Sequence, residues 1–513
     1  MSLRFERALS MTALILLIFL GVPIDARAES KADCIESFLQ TARSRGQFNG
    51  CVLVGERGRI LYTRALGFAD FEKRTSLRTD SVFELASVSK PFTALAILML
   101  KERGRLSYDD PLTRYLPELP YSGVTIRHLL THTAGLPEPE PFFGSDWPSD
   151  PPDRPVTISD FVARLARRKT PVFFAPGERW KYDRTAYFLL ARIVEIVSGT
   201  SYEQFLQTNI FKPLGMKCSF VYSTQGIRKS SHLAQGYVHA SLASDTYVLP
   251  ETLPRYSYTR YFGDAVGPMG VYSSVGDLFR WVQGLNAGKL ITRKTLDEAY
   301  TPVTLKDGST AGAGGGAGNG APSQYGYGWF LQQGEDGRTV RHTGDWRGYI
   351  TCVIHNLTKD QTIIVLTNVG DMGALEVANA LENILNGHAY TLPRMSIGRE
   401  IGKTILASGI ESAVRRYRAL KQSQPNDYDF DSSNELNALG YELLRRGERE
   451  PAIAVFKLNV EAFPDFWNVY DSLGEALLAA GHKALAIENY RRSVELNPDN
   501  KSGTDLLKRL EAD

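Results

Sequence analysis

Residues 49–68, "NGCVLVGERGRILYTRALGF", alternate apolar and polar positions on either side of a Gly-containing turn, the two-residue period of a β-hairpin. Residues 90–104 lose that alternation and run almost continuously apolar to Gly104, which predicts a helix. Further helices are expected over 157–168, with Ser159 as N-cap, and over 185–199, closed by Gly199. Another is expected over 273–285, where Ser274 and Asp277 hold capping-box positions. Pro, Gly and Asp crowd 120–158, which reads mostly as loop, and the low-complexity run "DGSTAGAGGGAGNGAP" at 307–322 reads as a flexible loop. Three strand-like runs follow it, around "YGYGWFLQ", "YITCVIHNL" and "TIIVLTNV". Strands at both ends with helices between them predict an α+β fold, its one antiparallel sheet drawn from both ends of the domain.

The last part of the chain has a different pattern, repeated after 34 residues. Leu439-Gly440 matches Leu473-Gly474, Gly447 matches Gly481, Ala452 matches Ala486, Phe456 matches Tyr490 and Pro464 matches Pro498. That period and those positions are the tetratricopeptide signature, an all-α design of stacked helix pairs. A segment at 408–427 is similar but out of register, and reads as a degenerate first repeat or a cap on the short stack. The expected division is therefore 1–28 leader, 29–390 main domain, 391–430 linker or degenerate repeat, and 431–513 two repeats.

The leader changes the expected location. Arg4 and Arg7 precede an apolar run that ends in "ARA", Ala26 to Ala28, the three parts of a secretory signal cleaved after Ala28. An uncleaved membrane anchor is the alternative, although the run is at the short limit for a bilayer and no later segment reaches ~18 apolar residues. The mature chain is expected to be exported, periplasmic or secreted. A formal charge of +2 over 513 residues gives no reason to expect nucleic acid as a partner. Cys34, Cys51, Cys218 and Cys352 follow no disulfide-scaffold spacing, and Cys51 and Cys352, in apolar strand-like runs, read as buried thiols.

The chemistry begins at "FELASVSKPFT", 83–93, where Lys90 stands three residues after Ser87 at the head of an apolar helix. Residues i and i+3 share a helix face, so the two side chains can meet. A serine must lose its proton as it attacks, and a lysine stripped of solvent loses proton affinity and can take part in that transfer. Free N–H groups at the helix start can hold an oxyanion. The spacing alone also suits a helix N-terminus whose lysine reaches out to solvent.

In context, residues 83–112 resemble the active-site region of the serine β-lactamase and penicillin-binding-protein superfamily. They are most similar to its branch of class C β-lactamases, D-alanyl-D-alanine carboxypeptidases, D-aminopeptidases and esterases. "TIRHLLTHTAGLP" at 125–137 and "FAPGERWKYDRTAYFLLARIVE" at 174–195 resemble further stretches of that branch, and the likeness covers roughly 35–385. It implies a β-lactamase-like domain, an antiparallel sheet flanked by helices, and a site with three motifs. Ser87 and Lys90 match the first. Tyr182 matches the tyrosine of the second, where a neighbouring lysine ammonium is expected to pull it toward phenolate. His342, Thr343 and Gly344 match the third, H-x-G on a strand that lines the site, with His342 tuning Tyr182 or meeting a carboxylate. The backbone N–H groups of Ser87 and Asp345 are the implied oxyanion hole. The chain departs from the pattern at Arg184, which replaces the second motif's Asn. That residue either turns outward or favours a carboxylate-bearing substrate, and it weakens the case for a true β-lactamase.

Other motifs are incomplete. His128 and His132 are four apart, but Leu129 replaces the glutamate of a zinc helix, and both read as structural. "GREIGKT" at 398–404 is one residue short of a P-loop, and no metal site or cofactor is expected. The expected function is an exported serine hydrolase acting through an acyl-enzyme on a D-amino-acid peptide or an ester. A class C-like β-lactamase is one alternative. The other is a non-catalytic interaction protein that binds a protein partner through its repeats.

Overall fold

The computed structural model describes residues 30–139, 156–223, 227, 230–261, 265–312 and 323–512. The leader, much of the 120–158 loop and most of the low-complexity run lie outside the described residues. The main sheet uses seven strands: β1 (Gly50–Glu56), β2 (Arg59–Leu66), β3 (Gln324–Tyr325), β4 (Phe330–Gly334), β5 (Gly337–Trp346), β6 (Tyr349–Asn356) and β7 (Gln361–Thr367). Their spatial order is β3-β4-β5-β6-β7-β1-β2, and every pairing is antiparallel. The hairpin from the start of the domain thus joins the strands from its end, through Gly50 opposite Thr367 and Glu56 opposite Gln361.

The pleat sends alternate residues to opposite faces. Val52, Val54, Ile363 and Val365 pack against Ile35 and Leu39 of helix α1 (Lys31–Ser44) and against Val377 and Leu381 of a helix at Ala374–Asn386. Cys51, Leu53, Ile364 and Leu366 face the larger core, which includes Phe92 and Trp281, stacked at 4.1 Å. Cys51 and Cys352 fall on opposite faces of the sheet, each wholly buried. Burial pushes the Cys352 thiol up to about 12.

Two expected caps are corrected. The helix at Ile158–Arg168 is capped by Thr157, not Ser159: its hydroxyl accepts the Asp160 N–H and the Asp160 carboxylate returns to the Thr157 N–H, leaving Ser159 inside the first turn. Ser274 does cap Val275–Asn286, but the Asp277 carboxylate accepts from the Cys218 N–H, Ser219 Oγ and Arg280 rather than closing a box.

From Ile397 onward the described chain is helical. A helix over Ile397–Ser423, kinked at Gly409, is followed by Ser433–Arg445, Arg449–Ala462, Trp467–Ala479, Lys483–Leu496 and Lys501–Ala512. The long helix begins well before residue 408 and buries Ile401, Tyr417 and Leu420 in one core with Leu439 and Phe456. This block packs on the main domain at residues 241–245, where Glu442 accepts the Leu242 N–H at 3.0 Å and Arg399 meets Asp245 at 2.9 Å. A cavity of about 500 Å³ lies in the seam, lined by Arg45, His239, Asp371, Arg399 and Glu435 among others. Its charges are largely matched with one another, His239 with Asp371 and Lys403 with Asp245, and it is not where Ser87 lies. Among the described residues no helix is long and apolar enough to cross a membrane.

Candidate active site

Ser87 sits in a 3-10 turn, Ala86–Ser89, and the α-helix starts only at Lys90, with Pro91 in its first turn. Three residues per turn bring i and i+3 into line, closer than an α-helical turn would. The Lys90 Nζ lies 2.9 Å from Ser87 Oγ and 3.2 Å from the Pro268 carbonyl. Ala86 holds φ +50°, a left-handed conformation that costs a non-glycine residue on the order of 1 kcal/mol and turns the chain sharply before the serine. Ser87 remains partly open to the cleft, whereas Lys90 has no solvent exposure. Burial, helped by the Arg184 charge, drives the Lys90 proton affinity well below that of an ordinary lysine. The group beside Ser87 is therefore suited to act as a neutral amine.

Tyr182 hydrogen-bonds Ser87, and its ring centre is 4.7 Å from Lys90 Nζ. The expected pull toward phenolate is overturned: burial raises the Tyr182 phenol above its usual range and outweighs the Ser87 hydrogen bond.

β5 forms the opposite wall. Gly344 has no room for a side chain, because a Cβ there would run into the Leu85 carbonyl, Thr351 Oγ1 and the Ala86 methyl. Thr351 Oγ1 also donates to the Leu85 carbonyl at 2.7 Å, tying the sheet to the turn that carries the serine. Thr343 and Asp345 flank Gly344 along this strand, with the Asp345 side chain exposed. His342 is 1% exposed, and burial and Lys90 hold its proton affinity well below the usual histidine value. Its Nδ1 is 2.7 Å from the Thr343 carbonyl and its Nε2 is 3.3 Å from Tyr325 Oη. Both ring nitrogens have partners, and burial disfavours the charged form of the ring.

Arg184 does not swing away from the site. Its Nη2 lies 3.9 Å from Glu138 Oε2, and Lys181 approaches the same carboxylate at 3.9 Å. Next to it, Asp183 is buried, accepts the Ala186 N–H at 2.6 Å through Oδ1, and among the described residues has no hydrogen-bond partner for Oδ2. Burial pushes its carboxyl up to about 7.

Several residues escape the motif reading. His132, grouped in the sequence with the incomplete zinc pair, is buried with its ring 4.3 Å from that of Tyr182, whereas His128 caps its own short helix through Thr125. Tyr325, Phe330 and Trp180 complete an aromatic cluster with Tyr182. A signal for Tyr325 was available in "YGYGW": Gly328, at φ +80°, lies where a Cβ would stand 2.9 Å from Ala94 Cβ, so this segment must press on the helix that carries Lys90.

The beta-lactamase family model matches residues 32–385. Penicillin-binding protein 4* of Bacillus subtilis is 40% identical over 369 residues, covering 71% of this chain and 78% of that protein. Esterase EstB of Burkholderia gladioli is 32% identical over 378 residues, 66% of this chain and 92% of that protein. Among solved structures, the octameric penicillin-binding protein homologue from Pyrococcus abyssi superposes with a TM-score of 0.59 at 25% identity, covering 72% of this chain and 80% of that one. The D-amino acid amidase of Ochrobactrum anthropi shares the fold, with a TM-score of 0.56 at 23% identity over 70% of this chain and 99% of its own. With nearly all of its main domain inside the matched span, the chain belongs to the beta-lactamase family of serine hydrolases.

Proposed function

We propose that the chain is an exported hydrolase that forms an acyl-enzyme on Ser87 and acts on a D-amino-acid peptide or an ester. The observation that carries this reading is the 2.9 Å contact between Ser87 Oγ and a fully buried Lys90. As Oγ attacks a carbonyl carbon, its proton passes to the Lys90 amine, directly or through Tyr182. The carbonyl oxygen becomes an oxyanion held by the backbone N–H groups of Ser87 and Asp345. The proton then returns to the departing amine or alcohol. Water attacks the acyl-enzyme by the same route in reverse and frees the acid.

The named functions of the relatives, a penicillin-binding protein and an esterase, bracket the substrate. Arg184, in place of the family's Asn and already facing Glu138, speaks against a class C-like β-lactamase and for weak β-lactam turnover at most. The intact Ser87, Lys90 and Tyr182 grouping speaks against a non-catalytic interaction protein. Residues 1–28 act as the export signal, and the mature chain is periplasmic or secreted. The helix pairs at 433–462 and 467–496 serve as two tetratricopeptide-like repeats. Their contacts with residues 241–245 favour a packing or scaffolding role, with a protein partner as the other use.

Intact-mass spectrometry after exposure to a fluorophosphonate and, separately, to a penicillin tests the acyl-transfer step. A mass gain that Ser87→Ala abolishes is expected, and the reagent that labels separates ester-like from penicillin-recognising chemistry. A folded protein that neither reagent labels refutes the reading.

A further inference from the structure

Tyr325 stands between two histidines from opposite walls of the cleft. Its Oη is 3.3 Å from His132 Nε2 and 3.3 Å from His342 Nε2. The same phenol also hydrogen-bonds Tyr187, whose own O–H donates to the Leu130 carbonyl, so its single proton is shared between Tyr187 and one of the two rings. The other ring nitrogens decide which. His132 Nδ1 accepts the Asp183 N–H at 3.2 Å, and a backbone N–H can only donate. His132 therefore carries its proton on Nε2 and donates it to Tyr325. His342 Nδ1 faces the Thr343 carbonyl oxygen at 2.7 Å, which can only accept, so Nδ1 carries that proton and Nε2 is bare. Between the two rings the donors run one way, from His132 to Tyr325, from Tyr325 to His342 and from His342 to the Thr343 carbonyl, with Tyr187 as a second acceptor beside Tyr325.

This chain ties together three separate segments: the loop holding His132, the β3 strand and β5. It also reaches the reacting groups, since the His132 ring lies against Tyr182 and Tyr182 bonds Ser87. Lys90 from the nucleophile helix, and Asp183, Tyr182 and Tyr187 from the segment after Trp180, are the titratable groups that face the two histidines. Lys90 opposes a positive charge on either ring, and burial acts in the same direction.

We propose that Tyr325 is a positioning residue: it locks His132 and His342 in single neutral tautomers and so holds Tyr182 in register with Ser87 and Lys90. The proposal rests on the acyl-transfer reading above. Removing the phenol oxygen leaves His132 Nε2–H without its acceptor and His342 Nε2 without its donor, while the ring can keep its packing on Phe330 at 4.8 Å.

The test is the rate of fluorophosphonate labelling of Ser87 in the full chain, measured against reagent concentration and pH. For Tyr325→Phe the expected result is a maximal labelling rate about 10- to 100-fold lower with reagent affinity little changed. Its acid limb should move to higher pH, because a freed His342 Nε2 can take a proton. His132 has φ +58°, which Asn tolerates, and an Asn amide can both accept and donate. His132→Asn should therefore label faster than His132→Ala. A Tyr325→Phe protein with the wild-type rate and pH profile overturns the proposal, as does a folded His132→Asn no faster than His132→Ala. If wild type itself fails to label, the acyl-transfer reading falls instead.

Discussion

Arg184 and Glu138 face one another 3.9 Å apart at the rim of the cleft, and they pull the buried Lys90 amine in opposite directions. The Arg184 charge lowers its proton affinity; the Glu138 charge raises it. Removing the guanidinium as Arg184→Asn should raise the amine's pKa, so a higher pH is needed to free the base. The acid limb of the labelling rate should then move up by about half a pH unit, and Glu138→Gln should move it down by a similar amount. Shifts of the same sign in both variants would show that charge at this rim does not reach Lys90.

Gly344 is required by the closeness of β5 to the turn that carries Ser87. Gly344→Ala should cost about 2 kcal/mol or more, because the new methyl meets the Leu85 carbonyl oxygen and the Thr351 hydroxyl bonded to it. It should also slow labelling more than the stability loss explains. A urea midpoint and labelling rate equal to wild type would mean that strand and turn can separate freely.

Two buried carboxyls sit close to this turn. Burial pushes both Glu84 and Asp183 up to about 7. A carboxyl whose folded pKa exceeds its unfolded value favours the fold below the unfolded value and loses that contribution as pH rises through the folded one. Thermal stability should therefore increase as pH falls from 8 toward 5. For Glu84 the whole shift, from 4.5 to about 7, corresponds to roughly 3 kcal/mol. Glu84→Gln keeps an oxygen for the Gly270 N–H and should flatten the pH dependence. A variant whose melting temperature keeps the full wild-type slope would place the titration elsewhere.

The two helix pairs are packed unequally. A Cβ on Gly440 would stand 2.5 Å from Phe456 Cζ, whereas one on Gly474 would stand 3.2 Å from the Tyr490 ring. Gly440→Ala should destabilise the helical block by about 2 kcal/mol, and Gly474→Ala by less than about 1 kcal/mol. Hydrogen exchange across 433–496 would measure both; equal effects would remove the distinction.

Much of the site was legible because its first two groups are neighbours in the chain. Ser87 and Lys90 need only a helical turn to meet, and the nearly unbroken apolar runs of β1 and β7, buried along almost their whole length, mark a sheet with both faces covered. What was hidden came from distance and burial. His132, Trp180 and Tyr325 come from three segments separated by long stretches of chain, and nothing near any one of them announces the others. The charge states of Lys90 and Tyr182 depend on how completely water is removed, which a motif does not record. The cap at Thr157 was readable as T-x-x-D, but Ser159 offered the same chemistry two residues later and only the fold distinguishes them.

The pairing of β1 with β7 has a consequence in time. Residues 50–56 cannot complete their sheet until residues 361–367 have been made. Until then β5, which buttresses the turn around Ser87, has no finished sheet to stand in, and the nucleophile has no wall opposite it. The first strand of the domain thus waits on its last, and the sheet behind Ser87 is joined into one only near the end of the main domain's synthesis.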